Sequence, residues 1–336
     1  MTLYDNLRAL GWLVRDTFRQ SFAYGIFWLL LGVSVISIAV CATITIEGDV
    51  VLDQGEGRDF LPRNDPEAQD AEKAQRSGVA IVDGTFSLAF GALSVPMNRD
   101  RRDAVHFVEL ALAGGVADAL GLLLALVWTS GFLPGFLDGR SISVLLAKPT
   151  PRWLLIVGKY LGVLAFVLFH AVLFVGGTWL ALGWRTGVWE TTYFWAVPML
   201  LLHFAVFFSF SVLLAVCSRS TVVCVFGSVL FWGLCWSMNF GRHALLAETY
   251  HANDAAVASQ AVRVVEAGYW FLPKPADLGI LLFDALDAAS AFGKVAVFDS
   301  VQAHGDFHPW LSIAASLSFM AVALVAASRQ FAALDY

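Results

Sequence analysis

The chain has 336 residues, of which 58% are hydrophobic and only 14% are charged. Soluble domains carry about 25% charged residues, so the composition excludes an ordinary soluble protein and indicates one embedded in a membrane. The formal net charge of −6 comes mostly from two long polar loops and gives no reason to expect a nucleic-acid partner.

The first predicted element is an amphipathic helix at residues 1–21. Its apolar face consists of Leu3, Leu7, Leu10, Val14 and Phe18. Arg8, Arg15 and Arg19 fall on another face at helical spacing. An apolar face toward lipid, with arginines toward the headgroups, is typical of a helix lying in the membrane interface. A cytoplasmic helix packed on the protein itself is the alternative.

Six apolar segments follow, each near the length that crosses a bilayer core of roughly 30 Å. The predicted spans are residues 22–45, 109–131, 154–182, 193–217, 221–240 and 309–329. Little polar sequence separates them apart from the two long loops. The sequence therefore predicts an all-α polytopic membrane protein with about six transmembrane helices.

Basic residues indicate the orientation of these spans. With the N-terminus inside, the inner segments hold or adjoin Arg8, Arg15, Arg19, Arg140, Lys148, Arg152, Lys159, Arg219 and Arg329. The short outer loop at 183–192 holds only Arg185. By the positive-inside rule both termini are cytoplasmic, and we expect a bacterial cytoplasmic (inner) membrane. Arg99, Arg101 and Arg102, on the outer side, do not fit this pattern.

The first long loop, residues 46–108, is predicted to be an extracytoplasmic insertion with a small β element. Two β-prone runs between residues 79 and 95 flank Asp83-Gly84, a dipeptide typical of hairpin turns. Lone strands cannot satisfy their backbone groups in lipid, so we place the hairpin outside the membrane. It would bind a partner or substrate, or cap a dimer.

The second long loop, residues 241–308, is predicted to be extracytoplasmic and helical. Helical patterns lie near 252–267 and after Pro275. In the latter, Leu278, Leu281, Leu282 and Ala285 form an apolar stripe, with Asp277, Asp284 and Asp287 around it. This pattern favours a surface helix lying on the membrane or on the protein.

The link between the second and third spans, residues 132–153, is both cationic and rich in proline. It holds Lys148, Pro149, Pro151 and Arg152 at the predicted inner face. This segment favours a contact with something at the cytoplasmic surface, and a plain juxtamembrane basic loop is the alternative. The following Gly158-Lys159 ends like a phosphate loop but lacks its upstream glycine and its hydroxyl residue. No catalytic set or metal cluster is readable, so we expect neither an enzyme nor a bound cofactor.

Asp118, His170 and His203 lie inside the second, third and fourth spans. Polar groups at membrane depth are costly and are therefore candidates for function. Small neighbours such as Gly115 and Gly121 allow close helix packing. We favour hydrogen bonds between helices over a proton relay for these residues.

The whole pattern resembles the permease subunits of type-2 ABC transporters, and in particular the branch that includes the permease of nitrous oxide reductase maturation. The similar features are the amphipathic first helix, the six-span layout with a short inner turn at 217–220, and the segment 131–162. In that segment the family reads small–acidic–small, then Leu-Leu-x-x-Pro, Arg and Gly-Lys. The coupling residues that the resemblance implies are Asp138, Leu145, Leu146, Lys148, Pro149, Arg152, Gly158 and Lys159.

The resemblance implies that a separate cytosolic ATP-binding subunit hydrolyses ATP, and that two permease chains, identical or paralogous, pair in the lipid. A short cytosolic helix would dock in a groove of the ATPase, whose closure moves the membrane helices as rigid bodies. From the residues alone two other functions stay open. One is a proton-coupled secondary transporter that uses Asp118, His170 and His203, and the other is a membrane assembly or scaffold protein that transports nothing.

Overall fold

The computed structural model describes residues 3–23, 25–52, 80–99, 101–137, 151–251, 259–286 and 296–334. The helices are α1 (Leu3–Ala23), α2 (Ile26–Ala42), α3 (Arg101–Leu110), α4 (Leu122–Phe136), α5 (Arg152–Thr186), α6 (Ala196–Ser218), α7 (Thr221–His251), α8 (Ser259–Phe271), α9 (Pro275–Ala285), α10 (Ala296–Ala303) and α11 (Pro309–Ala333). The strands are β1 (Thr45–Leu52), β2 (Ala80–Leu88) and β3 (Leu93–Arg99). A π-helical stretch (Ala111–Gly121) joins α3 to α4, and a 3-10 turn (Thr191–Trp195) precedes α6.

Five helical runs in the described part of the chain are long and apolar enough to cross a membrane. They are Arg102–Phe136, Arg152–Thr186, Thr191–Ser218, Thr221–Glu248 and Pro309–Ala333. The pair α1 and α2, bent by 74°, makes a sixth if it is counted as one span. The bend lies at Gly25, whose φ of 76° is favourable only for glycine. The prediction of an all-α polytopic membrane protein is confirmed.

The core of the bundle forms around α5 and α6. Helix α6 is the most buried of the spans, and it packs against α4, α5, α7 and α11. Phe204 and Phe208 of α6 are buried there with Tyr160 of α5 and Phe331 of α11. Since lipid offers no hydrophobic drive for helix association, close packing and hydrogen bonds between helices must hold such a bundle together.

The two ends of the bundle differ. We call the end that carries α1, Arg152 and the turn after Ser218 the α1 end. The opposite end carries the three-stranded antiparallel sheet, in the order β1-β2-β3, together with α8, α9 and α10. We call it the sheet end. Helix α5 runs between the two ends, and near its C-terminus the Arg185 Nε donates to the Ile44 carbonyl at 3.3 Å, just before β1.

The predicted hairpin turn at Asp83-Gly84 is wrong. Both residues lie in the middle of β2, where Gly84 pairs with Gly48 of β1. The turn follows β2 instead, with Ala89, Phe90 and Gly91 at positive φ. Strand β1 continues almost directly from α2, so β2 gains a neighbour on each side. The Thr43 hydroxyl, just before β1, accepts a hydrogen bond from the Ala89 amide at 3.1 Å, which fixes where β2 ends.

Candidate functional site

At the α1 end, α1 packs closely on the first half of α5. A Cβ at Gly158 would lie 2.3 Å from Leu13 Cδ1, and one at Gly162 would lie 2.6 Å from Thr17 Oγ1 and 3.3 Å from the Val14 Cα. Two glycines four residues apart let two helix backbones approach. The buried face of α1 is therefore made by Leu13 and Thr17, against α5.

Lys159 lies between these glycines and is fully buried. Its Nζ donates to Gln20 Oε1 at 2.6 Å and lies 3.6 Å from Asp16 Oδ2, both on α1. It also lies 5.4 Å from the centre of the Phe136 ring at the end of α4. Both partners of this ammonium lie on α1. A role of Lys159 in coupling to an ATPase would therefore involve α1 as well as α5.

Arg152 ties the start of α5 to the end of α11. Its Nη1 donates to the carbonyls of Ala332 at 3.1 Å and Leu334 at 2.6 Å. A cation is favourable at these carbonyls because a helix C-terminus carries partial negative charge. Eight residues on, the Tyr160 hydroxyl donates to the Ala205 carbonyl of α6 at 2.9 Å. Helix α5 is thus joined to α1, α6 and α11 at the α1 end.

The other predicted coupling residues, Asp138, Leu145, Leu146, Lys148 and Pro149, lie in the segment 138–150, outside the described residues. Both flanks of that segment are described. Phe136 and Leu137 before it are buried in the core, and Arg152 just after it is bound to α11. The segment therefore connects two anchored points of the bundle.

The structure brings together two of the three predicted intramembrane polar residues. His203 Nδ1 lies 2.6 Å from Asp118 Oδ1, so that the ring of α6 donates to the carboxylate of the π-helical stretch. His170 Nδ1 contacts the Phe166 carbonyl at 3.1 Å. In the described part of the chain no hydrogen bond joins His170 to the other two. Asp118 and His203 are thus hydrogen-bonded between two elements, whereas the hydrogen bond of His170 is to its own helix.

Sequence reasoning missed a buried polar cluster at the sheet end. Its members are Asn239, His243, Tyr269, Lys274, Asp277 and Ser312. The Asp277 Oδ1 accepts from His243 Nε2 at 2.6 Å and from Asn239 Nδ2 at 2.8 Å. Its Oδ2 accepts from the Tyr269 hydroxyl at 2.8 Å and from the Ser312 hydroxyl at 2.5 Å. The prediction that Asp277 lies on the polar side of a surface helix is wrong.

The cluster was missed because α7 does not stop near residue 240. It continues to His251, and Asn239 and His243, four residues apart, face α9. The available signal was the lack of proline in that stretch and the i, i+4 spacing of an amide and an imidazole. Arg242 lies beside the cluster, 3.0 Å from Glu266 and 4.1 Å from the centre of the Tyr269 ring.

The electrostatics of this cluster favour an ionised Asp277. Burial acts to raise the pKa of Asp277, but hydrogen bonds from His243, Ser312 and Asn239 and the charge of His243 hold it below its ordinary value. Burial lowers the pKa of Lys274, whose Nζ has no hydrogen-bond partner among the described residues. That ammonium lies 4.5 Å from the centre of the Tyr269 ring.

No group of three or more His, Cys, Asp or Glu suited to a metal ion occurs in the described ranges.

The outer arginines find a partial explanation here. Arg102 Nε donates to Glu190 Oε1, and the other oxygen of Glu190 lies 3.8 Å from His106 Nε2. Arg102 therefore pairs with an acidic side chain at the sheet end. Its positive charge is offset there, so it counts less against the orientation inferred from the positive-inside rule.

A comparison with protein-family models finds a match over residues 12–332 to the family described as ABC-2 family transporter protein. The match begins within α1, at residue 12, and covers α2, the segment 138–150 and the candidate spans up to residue 332. No curated protein matches the chain.

The approach of α1 to α5 can be tested with two glycines of the same helix. Gly162→Ala should destabilise the protein by about 1–3 kcal/mol, since the new methyl group overpacks against Val14 and Thr17. Gly176→Ala, where a Cβ meets nothing within 4 Å, should instead stabilise α5 by up to about 1 kcal/mol through helix propensity. Unfolding in detergent measures both, and Thr17→Ala should partly rescue the Gly162 variant. Equal shifts for the two glycines would refute the close contact.

The buried cluster predicts a large effect of one carboxylate. Asp277→Asn should cost about 3–5 kcal/mol, because it removes the charge that four side chains surround. Asp284→Asn, at an exposed position of the same helix, is the control and should change little. Because the pKa of Asp277 is lowered in the folded protein, its contribution is complete above the unfolded pKa and is lost as the pH falls below about 4. A difference between the two variants that vanished at neutral pH would contradict this account.

Proposed function

The chain belongs to the ABC-2 transporter family, and on that premise we propose that it is the permease subunit of a transporter whose ATP is hydrolysed by a separate cytosolic subunit. Membership makes it a multi-pass membrane component of an ABC transporter. The observation that carries the proposal is the anchoring of both flanks of the segment 138–150, on which an ATPase would act.

The contacts at the α1 end supply a route for the motion. A displacement of the segment 138–150 would pull on Arg152 and so on the end of α11, through the carbonyls that Arg152 binds. It would also carry α1, because Gly162 and Lys159 hold that helix on α5. Helices packed in this way move as rigid bodies rather than deform continuously.

Helix α5 extends this route to the sheet end. It is a single helix of 35 residues, which at 1.5 Å per residue is about 50 Å long. Its last turns bear the Arg185 contact to Ile44 before β1. ATP-driven movement at one membrane face would therefore reach the sheet at the other face, through one continuous helix.

We place the α1 end in the cytoplasm of a bacterium, with the cytoplasmic membrane around the bundle and both termini inside. Arg8, Arg15, Arg19, Arg219 and Arg329 are exposed at the α1 end, as expected for the inner face. The sheet, α8, α9 and α10 are then extracytoplasmic. Two such chains, identical or paralogous, would pair with two ATP-binding subunits.

A proton-coupled transporter receives less support. A relay would join Asp118, His170 and His203, whereas the described contacts join only the first and last of them. A membrane scaffold that transports nothing would not need the segment 138–150 to be anchored at both flanks.

Docking of the ATPase is tested by replacing residues 138–150 with a Gly-Ser linker of equal length. The unmodified chain, purified in mild detergent, should bring down an ATP-binding protein and ATPase activity, and the linker variant should insert normally but lose both. The matched control is the same replacement at residues 55–67, which should keep the partner. Absence of any ATP-binding protein with the unmodified chain would refute the permease proposal, and its retention by the linker variant would refute docking on this segment.

The orientation is tested with the native cysteines. Cys217 is exposed at the α1 end, whereas Cys41, Cys224 and Cys235 are buried. A membrane-impermeant maleimide should therefore label inside-out vesicles but not intact spheroplasts. Cys217→Ser should abolish the labelling, and a permeant maleimide should label both preparations. Labelling of spheroplasts through Cys217 would reverse the proposed orientation.

A further inference from the structure

Helix α1 carries a row of exposed cations on the side that faces away from α5. Its members recur every three or four residues, the spacing that places them on one side of a helix, and are Arg8, Trp12, Arg15 and Arg19. We call these four residues the arginine stripe. All four are exposed, and Trp12 is 66% exposed. The buried Leu13 and Thr17 lie on the opposite side of the helix, against α5.

The edge of α1 that carries Phe18 faces the middle of the membrane. Helix α1 meets α2 at 74°, so α1 lies near the membrane plane when α2 crosses the bilayer. The ring centre of Phe18 lies 5.7 Å from that of Phe166 and 6.3 Å from that of Phe169. Both rings belong to the part of α5 beyond Gly162, toward the middle of that span. This edge of α1 therefore points toward the hydrocarbon.

The other edge of α1 faces the water at the α1 end. Asp16 and Gln20 lie on this edge and contact Lys159, which is closer to the start of α5. One edge of α1 thus points toward hydrocarbon, the other points toward water, and one side packs on α5. The arginine stripe, on the remaining side, points outward from the bundle at the level of the lipid headgroups.

The positive charge of the stripe is not offset within the described part of the chain. No hydrogen bond or ion pair there involves Arg8, Arg15 or Arg19. Asp16, on the water-facing edge, is already engaged by Gln20 at 3.0 Å and by Lys159 at 3.6 Å. Arginine can lay its apolar stem on hydrocarbon and keep its guanidinium among the headgroups, and tryptophan is enriched at the same level.

Charge complementarity selects the partner of this stripe. A second copy related by a two-fold axis would bring the same surface to itself, and juxtaposed arginines would repel each other. A cytosolic ATPase would approach from the water-facing edge rather than from the side. Anionic phospholipids place negative charge at the level of the stripe, where each nearby arginine is attracted to it.

We propose that the arginine stripe binds anionic phospholipids, of the phosphatidylglycerol class, in preference to zwitterionic ones. The guanidinium groups donate to the phosphate oxygens, and the Trp12 ring lies between the headgroups and the acyl chains. This binding requires neither ATP nor a partner subunit. Its failure and the failure of the proposed transport function can therefore be told apart.

The test uses the full-length chain with the photoreactive residue p-benzoylphenylalanine in place of Trp12. The vesicles contain equal amounts of phosphatidylglycerol and phosphatidylcholine with the same acyl chains. After irradiation, mass spectrometry measures the lipid adducts of each class. Adducts of phosphatidylglycerol should exceed those of phosphatidylcholine at least about fivefold, the effect of one arginine near an anionic surface. The matched control places the same probe at Trp310, which is 81% exposed at the sheet end, and should give a ratio near one.

Variants of α1 identify the groups responsible. Arg8→Gln, Arg15→Gln and Arg19→Gln together should bring the ratio at position 12 close to one, whereas lysine at the same three positions should retain a preference. Arg219→Gln with Arg329→Gln, which removes two exposed cations of the α1 end from other elements, is the matched control and should leave the ratio unchanged. Added salt should reduce the preference. Size-exclusion profiles show whether each variant is folded.

Three results would overturn the proposal. Equal adducts of the two lipids at position 12 would mean that the stripe contacts lipid without selecting its charge. Crosslinks to a second copy of the chain, in place of lipid adducts, would mean that α1 lies between copies. A preference for phosphatidylglycerol that survives the three glutamine substitutions in a folded variant would mean that another group selects the lipid.

Discussion

The contact between α1 and α5 is the constraint on which the α1 end depends. Lys159 has no water to solvate its ammonium, because the side chain is fully buried. Its partners, Gln20 and Asp16, both belong to α1, and the backbone of α1 comes close enough to supply them only because Gly162 has no side chain. Removing α1 would take away both partners of this ammonium together with part of its cover. The amphipathic helix is therefore an integral part of the bundle as well as a surface element.

Many hydroxyl groups in the bundle donate to a carbonyl of their own helix, such as Thr17 to Leu13 and Thr129 to Ala125, and a few polar pairs join two helices. Ser211 and Ser228 lie 2.6 Å apart and join α6 to α7, while His203 donates to Asp118. Such pairs are a sufficient reason for polar residues to lie at membrane depth. His170 and His203 each have one ring nitrogen bonded and the other without a hydrogen-bond partner in the described chain.

Much of the fold could be predicted from the sequence, because hydrocarbon thickness fixes the length of a span and backbone satisfaction requires helices. The small sheet was also predictable, although its turn was not. Asp83-Gly84 is typical of a hairpin turn. It lies in a strand here because Gly84 pairs with Gly48, which is more than thirty residues earlier in the chain. The Asp277 cluster was missed for a similar reason. Its members come from four helices and from Lys274 just before α9, and although the lack of proline after residue 240 allows α7 to continue, it does not show that His243 meets Asp277.

The two ends of the protein are linked by α11 as well as by α5. At its C-terminus α11 receives Arg152 through the carbonyls of Ala332 and Leu334. At its N-terminus Ser312 donates to Asp277, which is held in turn by α7 and α8 through His243 and Tyr269. A shift of Arg152 must therefore either break strong contacts to the end of α11 or move that helix against the buried carboxylate. Leaving part of a buried polar network unsatisfied costs free energy. The Asp277 cluster therefore opposes a shift of α11 relative to α7, α8 and α9 unless those helices move with it.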